Sequence, residues 1–312
     1  MRAAMGIRRL GFFCLLAMIV GLASPAGGRA DGLPLVDLSS DPWYVGWSEL
    51  LPPAYMGVNT DSSDICVAGR IECVDRVARR LEQQVAGLGC DHNAVFSLAY
   101  ARTTQQVASM QRADPAFFSD TPWLNHYDAV FADFYFDAWN SWRRTGSAPP
   151  AWAMAFRAAD RRTASAAGNL LLGLSAHVNR DLPFTLYAIG LVADDGSSRK
   201  ADHDRVNRIL NKVISPLLDE IEARYDPSAR VIPGIGSLGD FLEFQALPAW
   251  RETAWRNAEL LATAPGPAAR KLAAATIEQT AAVEATTLLT LTRYLPPLTT
   301  SARRDAFCAR AQ

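Results

Sequence analysis

From about residue 72 onward, apolar residues recur at three- and four-residue steps, the period of helices that bury one face. Val74, Val77, Ala78, Leu81, Val85 and Leu88 predict a helix over 72–88, closed by Gly87 and Gly89. A second helix is expected over about 93–111. Thr121-Pro122 is an N-cap and first-turn pair for a third, whose face carries Trp123, Tyr127, Val130, Phe131, Phe134, Tyr135, Ala138, Trp139 and Trp142. Such an aromatic stripe reads first as core. Pro149-Pro150 opens the next helix, and another starts near Ser165. Its stretch LLLGLSAH (170–177) is apolar on nearly every side, so this helix should be central, with a break or kink at Pro183. Residues 194–198 read as a loop, 200–225 as a helix with Val206, Ile209, Leu210, Val213, Leu217 and Ile221 inward, and 227–239 as a turn-rich connector. Two more helices are expected over 238–263, bent near Pro248, and 267–294. No stretch alternates like a strand and no repeat is visible. The expected fold is all-α: one multi-helix domain of about eight helices over 66–312, preceded by an irregular arm over 31–65 containing Trp43, Tyr44 and Trp47.

The first thirty residues break this pattern. Arg2, Arg8 and Arg9 precede a 13-residue apolar run, Leu10 to Leu22, followed by small residues. The run is short for a membrane span and fits a secretory signal, cleaved after Ala30 or alternatively Ala23 or Ala26. The expectation is a secreted or periplasmic protein with no stable membrane insertion after cleavage.

Export changes the meaning of the composition. The chain has 31 Lys plus Arg against 32 Asp plus Glu. Cutting after Ala30 removes four arginines and no acid, leaving 27 bases against 32 acids and a net charge of −5. That balance speaks against a nucleic-acid partner. Cleavage also removes Cys14 and leaves Cys66, Cys73, Cys90 and Cys308, an even number in an oxidising compartment. Of three connectivities, Cys66–Cys73 and Cys90–Cys308 are preferred: a local staple, and a tie for the C-terminal tail. Free buried thiols or a metal site remain the alternatives, although the lack of a C-x-x-C pair disfavours structural zinc.

Polar chemistry concentrates at His177. It follows the apolar run 170–174, and Asp181 lies four residues on, one helical turn away on the same face. Burying both is costly unless each is hydrogen-bonded or bound to a metal. Asn179 and Arg180 widen the patch, and Pro183 frees backbone carbonyls nearby. A satisfied core His–Asp pair beside a kink is the plain alternative. Asp204, Asn207 and Asn211 share one face of the next long helix, either solvated or bordering the core. If Asp204 faces inward, His203 faces solvent. Asp128, beside Tyr127, is placed to point at the same cavity.

These residues carry a resemblance. GLSAHVNRDLPFTL (173–186) resembles the G-M-N-A-H-I-N-x-D-L-P hallmark of the family catalogued as domain of unknown function 5995. Cys90, His92, Phe96 and Tyr100, with Thr103 one position short of its threonine, are similar to its C-x-H-x-x-x-F-x-x-x-Y-x-x-x-T region, and Asp128, Val130, Phe131, Ala132 and Tyr135 to its D-x-V-F-A-x-x-Y helix. Trp152 and Phe156, Asp204 with Val206-Asn207, and Arg251 with Ala254-Trp255 follow in order. The resemblance spans roughly 66–308, with Ser175 where the hallmark has Asn. It implies a helical fold and no particular activity.

Nucleophile elbows, phosphate loops, H-E-x-x-H and haem-attachment motifs are absent from the sequence. Three functions fit what remains. The first is a metal-dependent hydrolase of an ester or phosphoester. His177, Asp181 and Asp204 would hold a divalent ion, Asp128 would act as base, and Arg251 would steady an anionic transition state. With a single well-placed histidine, magnesium or calcium suits that site as well as zinc. The second is a non-catalytic binder of a small-molecule or lipid-like ligand, apolar or amphipathic, in a cavity lined by Tyr127, Phe131, Tyr135 and Trp255 and oriented by Asn179 and Asn207. The third is purely structural, the hallmark segment locking a kinked helix.

Overall fold

The computed structural model describes residue 61 and residues 63–232 and 236–311. The segment expected to be a secretory signal and most of the expected N-terminal arm lie outside them. The described chain is all-α, with nine continuous helices and one two-residue hairpin, β1 (Val231–Ile232) against β2 (Gly236–Ser237).

Helix α1 (Ile71–Leu88) buries the six residues Cys73, Val74, Val77, Ala78, Leu81 and Val85, and Gly89 ends it at φ 52°. Helix α2 (Ala94–Ala113) packs back on it. In α3 (Thr121–Thr145), the Asp120 carboxylate accepts from the Trp123 N–H at 3.0 Å, so the cap falls one residue before Thr121. Pro150 starts α4 (Pro150–Asp160) at a position where its missing N–H costs nothing. Helices α6 (Lys200–Arg224), α8 (Pro267–Thr292) and α9 (Ala302–Ala311) complete the regular ones.

Two helices are built differently. Helix α5 (166–189) is buried almost throughout and packs against α2, α3, α4, α8 and α7. It runs Ala166–Ser175, then a π-turn over Ala176–Asp181, then Leu182–Ile189. Helix α7 (238–263) repeats the design: Leu238–Phe241, a π-turn over Leu242–Ala246, then Leu247–Thr263. In each, the residue before a proline bonds five residues back, Leu182 to the His177 carbonyl and Leu247 to the Leu242 carbonyl. A proline inside a helix has no N–H to give, and its ring crowds the carbonyl four residues earlier. Widening the turn by one residue relieves that crowding, so both helices continue where a break or bend was expected at Pro183 and Pro248.

A glycine sets the closeness of one helix contact at the site. A Cβ on Gly173 would lie 2.4 Å from the Phe96 ring, so the bare backbone there lets α2 seat Phe96 against α5.

Both preferred disulfides are present. Cys66–Cys73 joins Cα atoms 5.0 Å apart, and Cys90–Cys308 joins Cα atoms 5.8 Å apart. The second fastens α9, a helix beyond the eight expected. Its inward face is Arg304 and Cys308, and the Arg304 guanidinium donates to the Cys90 carbonyl at 2.6 Å. Among the described residues, no helix is long and apolar enough to cross a membrane.

Candidate functional site

The first π-turn buries all six of its residues and brings His177 against Asp181. His177 Nδ1 donates to Asp181 Oδ2 at 3.0 Å, and Trp152 Nε1 donates to the same oxygen at 2.8 Å. Arg180 Nη1 donates to Asp181 Oδ1 at 2.8 Å, while Arg180 Nε and Nη2 donate to Glu278 Oε1 at 2.9 and 2.7 Å. Three donors thus occupy the fully buried carboxylate. With its proton on Nδ1, the imidazole keeps a lone pair on Nε2, and Nε2 is buried with no hydrogen-bond partner. Phe131 stacks on the ring at 3.5 Å between centroids, Tyr100 lies at 4.6 Å, and Phe96 meets it edge-on at 5.7 Å. Burial lowers the His177 pKa more than Asp181 raises it, so the ring is neutral at neutral pH.

His177 forms one wall of a cavity of about 70 Å³ between α2, α3, α5, α6 and α7. The walls are mostly apolar, among them Phe131, Val206, Leu210 and Leu247. Asp128 contributes a buried carboxyl whose Oδ2 has no partner, and burial alone pushes its pKa up to about 7. Arg251 is 3% exposed. It donates from Nη2 to the His203 carbonyl at 2.5 Å and hydrogen-bonds Tyr127, leaving Nε without a partner. The Tyr100 hydroxyl on the same wall is also unpartnered, and burial raises its pKa well above the ordinary value.

Of the site residues singled out in the sequence, the cavity brings together His177, Asp128, Tyr127, Phe131 and Arg251. Asp181 stands behind His177 as its orienting partner. Asn179 is a strut: its amide donates to Ser175 Oγ at 3.1 Å and to Glu284 Oε2 at 2.7 Å, so the Ser175 that replaces the hallmark Asn is itself a bonding partner. The Tyr135 hydroxyl accepts from Gln84 at 2.8 Å and bonds Ser97 at 2.8 Å; its ring flanks His177 without lining the cavity. Trp255 donates to Glu259 at 2.7 Å and packs on His203, away from the cavity wall. Asn207 is half-buried and does not line it either.

The expected facing of His203 and Asp204 is reversed. His203 is fully buried beneath Arg251, and Asp204 is exposed, accepting from Lys200 Nζ at 2.8 Å. The register of α6 is set by Val206, Ile209 and Val213, and His203 lies three residues before Val206 on that inward face. His177, Asp181 and Asp204 therefore do not converge as a metal-ligand set. Among the described residues, no group of three or more His, Cys, Asp or Glu is arranged to hold a metal ion. Sequence reasoning named Phe96, Tyr100 and Arg180 but not their roles, a cage around the imidazole and a link from Asp181 to Glu278, and it passed over Glu278 altogether.

The model of the family of unknown function DUF5995 matches residues 74–291, and the chain belongs to that family. The matched span runs from the first turn of α1 to the last turn of α8, so it contains every cavity-lining residue. No curated protein and no solved structure matches the chain.

Proposed function

We propose that the protein is an exported small-molecule binder that takes an apolar or amphipathic ligand into the cavity at His177. Its polar end would meet His177 Nε2, Asp128 Oδ2 and Arg251 Nε. One observation supports this most: these three buried, unpartnered polar atoms belong to residues around one apolar space. Leaving such an atom unpaired costs about 1–3 kcal/mol, so a ligand that pairs several gains what the empty fold forgoes. Export rests on the N-terminal apolar run and on two disulfides, which persist in oxidising compartments.

Hydrolysis is the second reading, favoured by the Asp181–His177 pair. A carboxylate on Nδ1 leaves a neutral imidazole with its Nε2 lone pair free, the arrangement of a general base. In this form the base is His177, Asp128 is a proton donor, and Asp204 has no part.

A thermal-shift panel of three- to five-carbon alcohols, acids and esters tests both readings on wild type and His177→Leu. The binder reading expects at least one class to raise the wild-type melting temperature and to lose that effect in the variant. It fails if no class shifts the wild type, or if the variant responds equally. Release of acid from the esters by wild type, absent in the variant, decides for hydrolysis.

A further inference from the structure

Among the described residues, three arginines are buried, Arg180, Arg251 and Arg304. Arg180 bonds both Asp181 and Glu278, and Arg304 lies 3.3 Å from Asp305. Arg251 differs from both. Its hydrogen bonds go to the His203 carbonyl at 2.5 Å, to His203 Nδ1 at 3.3 Å and to Tyr127, none of them an acid. Burial and the neighbouring guanidinium keep His203 neutral, and a histidine could in any case add only positive charge, so it does not offset Arg251. Asp128 borders the same cavity but makes no hydrogen bond or ion pair to Arg251, and no cation eases its own burial. Among the described residues, Arg251 is thus the one buried guanidinium without an acidic partner, and it opens on an apolar space. A buried charge is tolerated when something of opposite sign completes it.

Resting on the ligand-binding reading of this cavity, we infer that its ligand is a short-chain monocarboxylate whose carboxylate pairs with Arg251 and whose carbon chain lies against Val206, Leu210 and Leu247. The donor set suits one negative charge. A guanidinium fork matches a carboxylate in two parallel bonds, and Tyr127 is the only other group bonded to it that faces the cavity. A phosphate dianion would meet a single cation with the Asp128 carboxyl nearby. Size points the same way. The space of about 70 Å³ equals two to three waters at about 30 Å³ each, enough for a carboxylate with a short chain. No covalent step is involved.

The test compares propionate, 1-propanol and propylamine on the disulfide-bonded protein at neutral pH, by calorimetric titration. Propionate is expected to bind at least tenfold more tightly than the other two. Arg251→Met, which keeps length and loses charge, should erase that preference while still admitting propanol. Equal binding of propionate and propanol to wild type would overturn the carboxylate inference and leave the cavity reading standing. If no alcohol, acid or amine of two to five carbons binds, the cavity reading falls and this inference with it. The wild-type preference needs no variant, so a poorly folding Arg251→Met does not blunt the test. The Arg251 Nε–H resonance, which should move on adding propionate and not propanol, reads the contact directly.

Discussion

His92 and His177 are both buried, both face an aspartate, and both border an opening, yet their surroundings differ in kind. His92 Nε2 donates to Asp305 Oδ1 at 2.9 Å, and its Nδ1 accepts from the Asn169 amide at 3.1 Å. Asp305 is held in turn by Ser301 at 2.8 Å and by Arg162 at 3.3 Å. The Cys90–Cys308 disulfide lies beside this network. The cleft there is polar and about 560 Å³, far larger than the cavity of about 70 Å³ at His177. Both ring nitrogens of His92 nonetheless have partners, while His177 leaves Nε2 bare in an apolar enclosure. The bare ring nitrogen, rather than the size of the opening or an adjacent carboxylate, separates His177 from His92; beside His92 the unpartnered atoms, Asn169 Oδ1 and Arg304 Nε, lie on its neighbours and not on the imidazole. His92 pins α9 to the body; His177 faces the apolar cavity proposed to take a ligand.

The sharpest way to break that contrast is to cut the clamp. The disulfide closes a loop with a sequence separation of 218. On a chain-entropy view, a loop that long stabilises the fold by about 5 kcal/mol. Replacing Cys90 and Cys308 with alanine should lower unfolding free energy by that order in urea titrations. Binding at the His177 cavity, measured well below the melting temperature, should be unchanged. Loss of binding in the folded variant would mean that the two regions are one functional unit.

Next in size is a pH effect on the cavity side. The Asp128 pKa is pushed up to about 7 in the folded protein, against an ordinary value near ~3.9 when unfolded. Its stabilising contribution is therefore complete below about pH 4 and is lost as pH rises through about 7, by up to about 4 kcal/mol. Glu284, also pushed up to about 7 by burial, acts in the same direction. The buried histidines with lowered pKa values act in the opposite sense just below pH 6.5, so the quantity to measure is wild type minus Asp128→Asn. Across pH 4 to 8 that difference should move in favour of the variant by a few kcal/mol. A flat difference would show Asp128 to be solvated and the cavity open to bulk water.

How far the sequence foretold these regions follows from the range of the forces involved. Eight helices were legible because burial writes a 3.6-residue period into them, as at Val74, Val77, Leu81 and Val85. Helix α9 was not, because its buried face is one arginine and one cysteine, which carry no apolar stripe. Pro183 and Pro248 announced trouble in two helices. That each helix widens instead of ending depends on packing along its flanks, which no local pattern records. The four-residue spacing of His177 and Asp181 was legible for the same local reason. The saturation of Asp181 was not: Trp152 reaches it from 29 residues away in another helix, and Arg180 is held by Glu278, 98 residues on. His203 and Asp204 were misread although the clue was present, since the inward face through Val206 extends back to His203.

The two histidines can be set against each other by the same substitution. His92→Leu takes the imidazole from the Asn169 amide and from Asp305 Oδ1, leaving them only the longer bonds to the Ala164 carbonyl at 3.4 Å and from Arg304 at 3.3 Å, which should cost about 2–3 kcal/mol in urea unfolding. In His177→Leu, Asp181 keeps Trp152 and Arg180, and the unpaired Nε2 disappears, so the cost should be about 1 kcal/mol. Binding should show the reverse order, abolished in the second and retained in the first. Equal destabilisation would remove the distinction between clamp and site.

The smallest expected effect bears on the register of α6. Asp204 is about half exposed and pairs with Lys200 one turn away, and Lys200 also reaches Glu252 at 2.8 Å. Exposed pairs of this kind contribute about 0.3–0.5 kcal/mol, and here a second acid already serves the lysine. Asp204→Ala should therefore change unfolding free energy by less than about 0.5 kcal/mol and leave cavity binding as it was. Its neighbour sits at the other extreme. His203 is fully buried, and its carbonyl receives the Arg251 guanidinium. Adjacent residues on a helix point about 100° apart, so one substitution distinguishes the two registers. If Asp204→Ala abolished binding, α6 would have to be turned toward the arrangement in which Asp204 joins His177, and Arg251 would lose its place in the cavity wall.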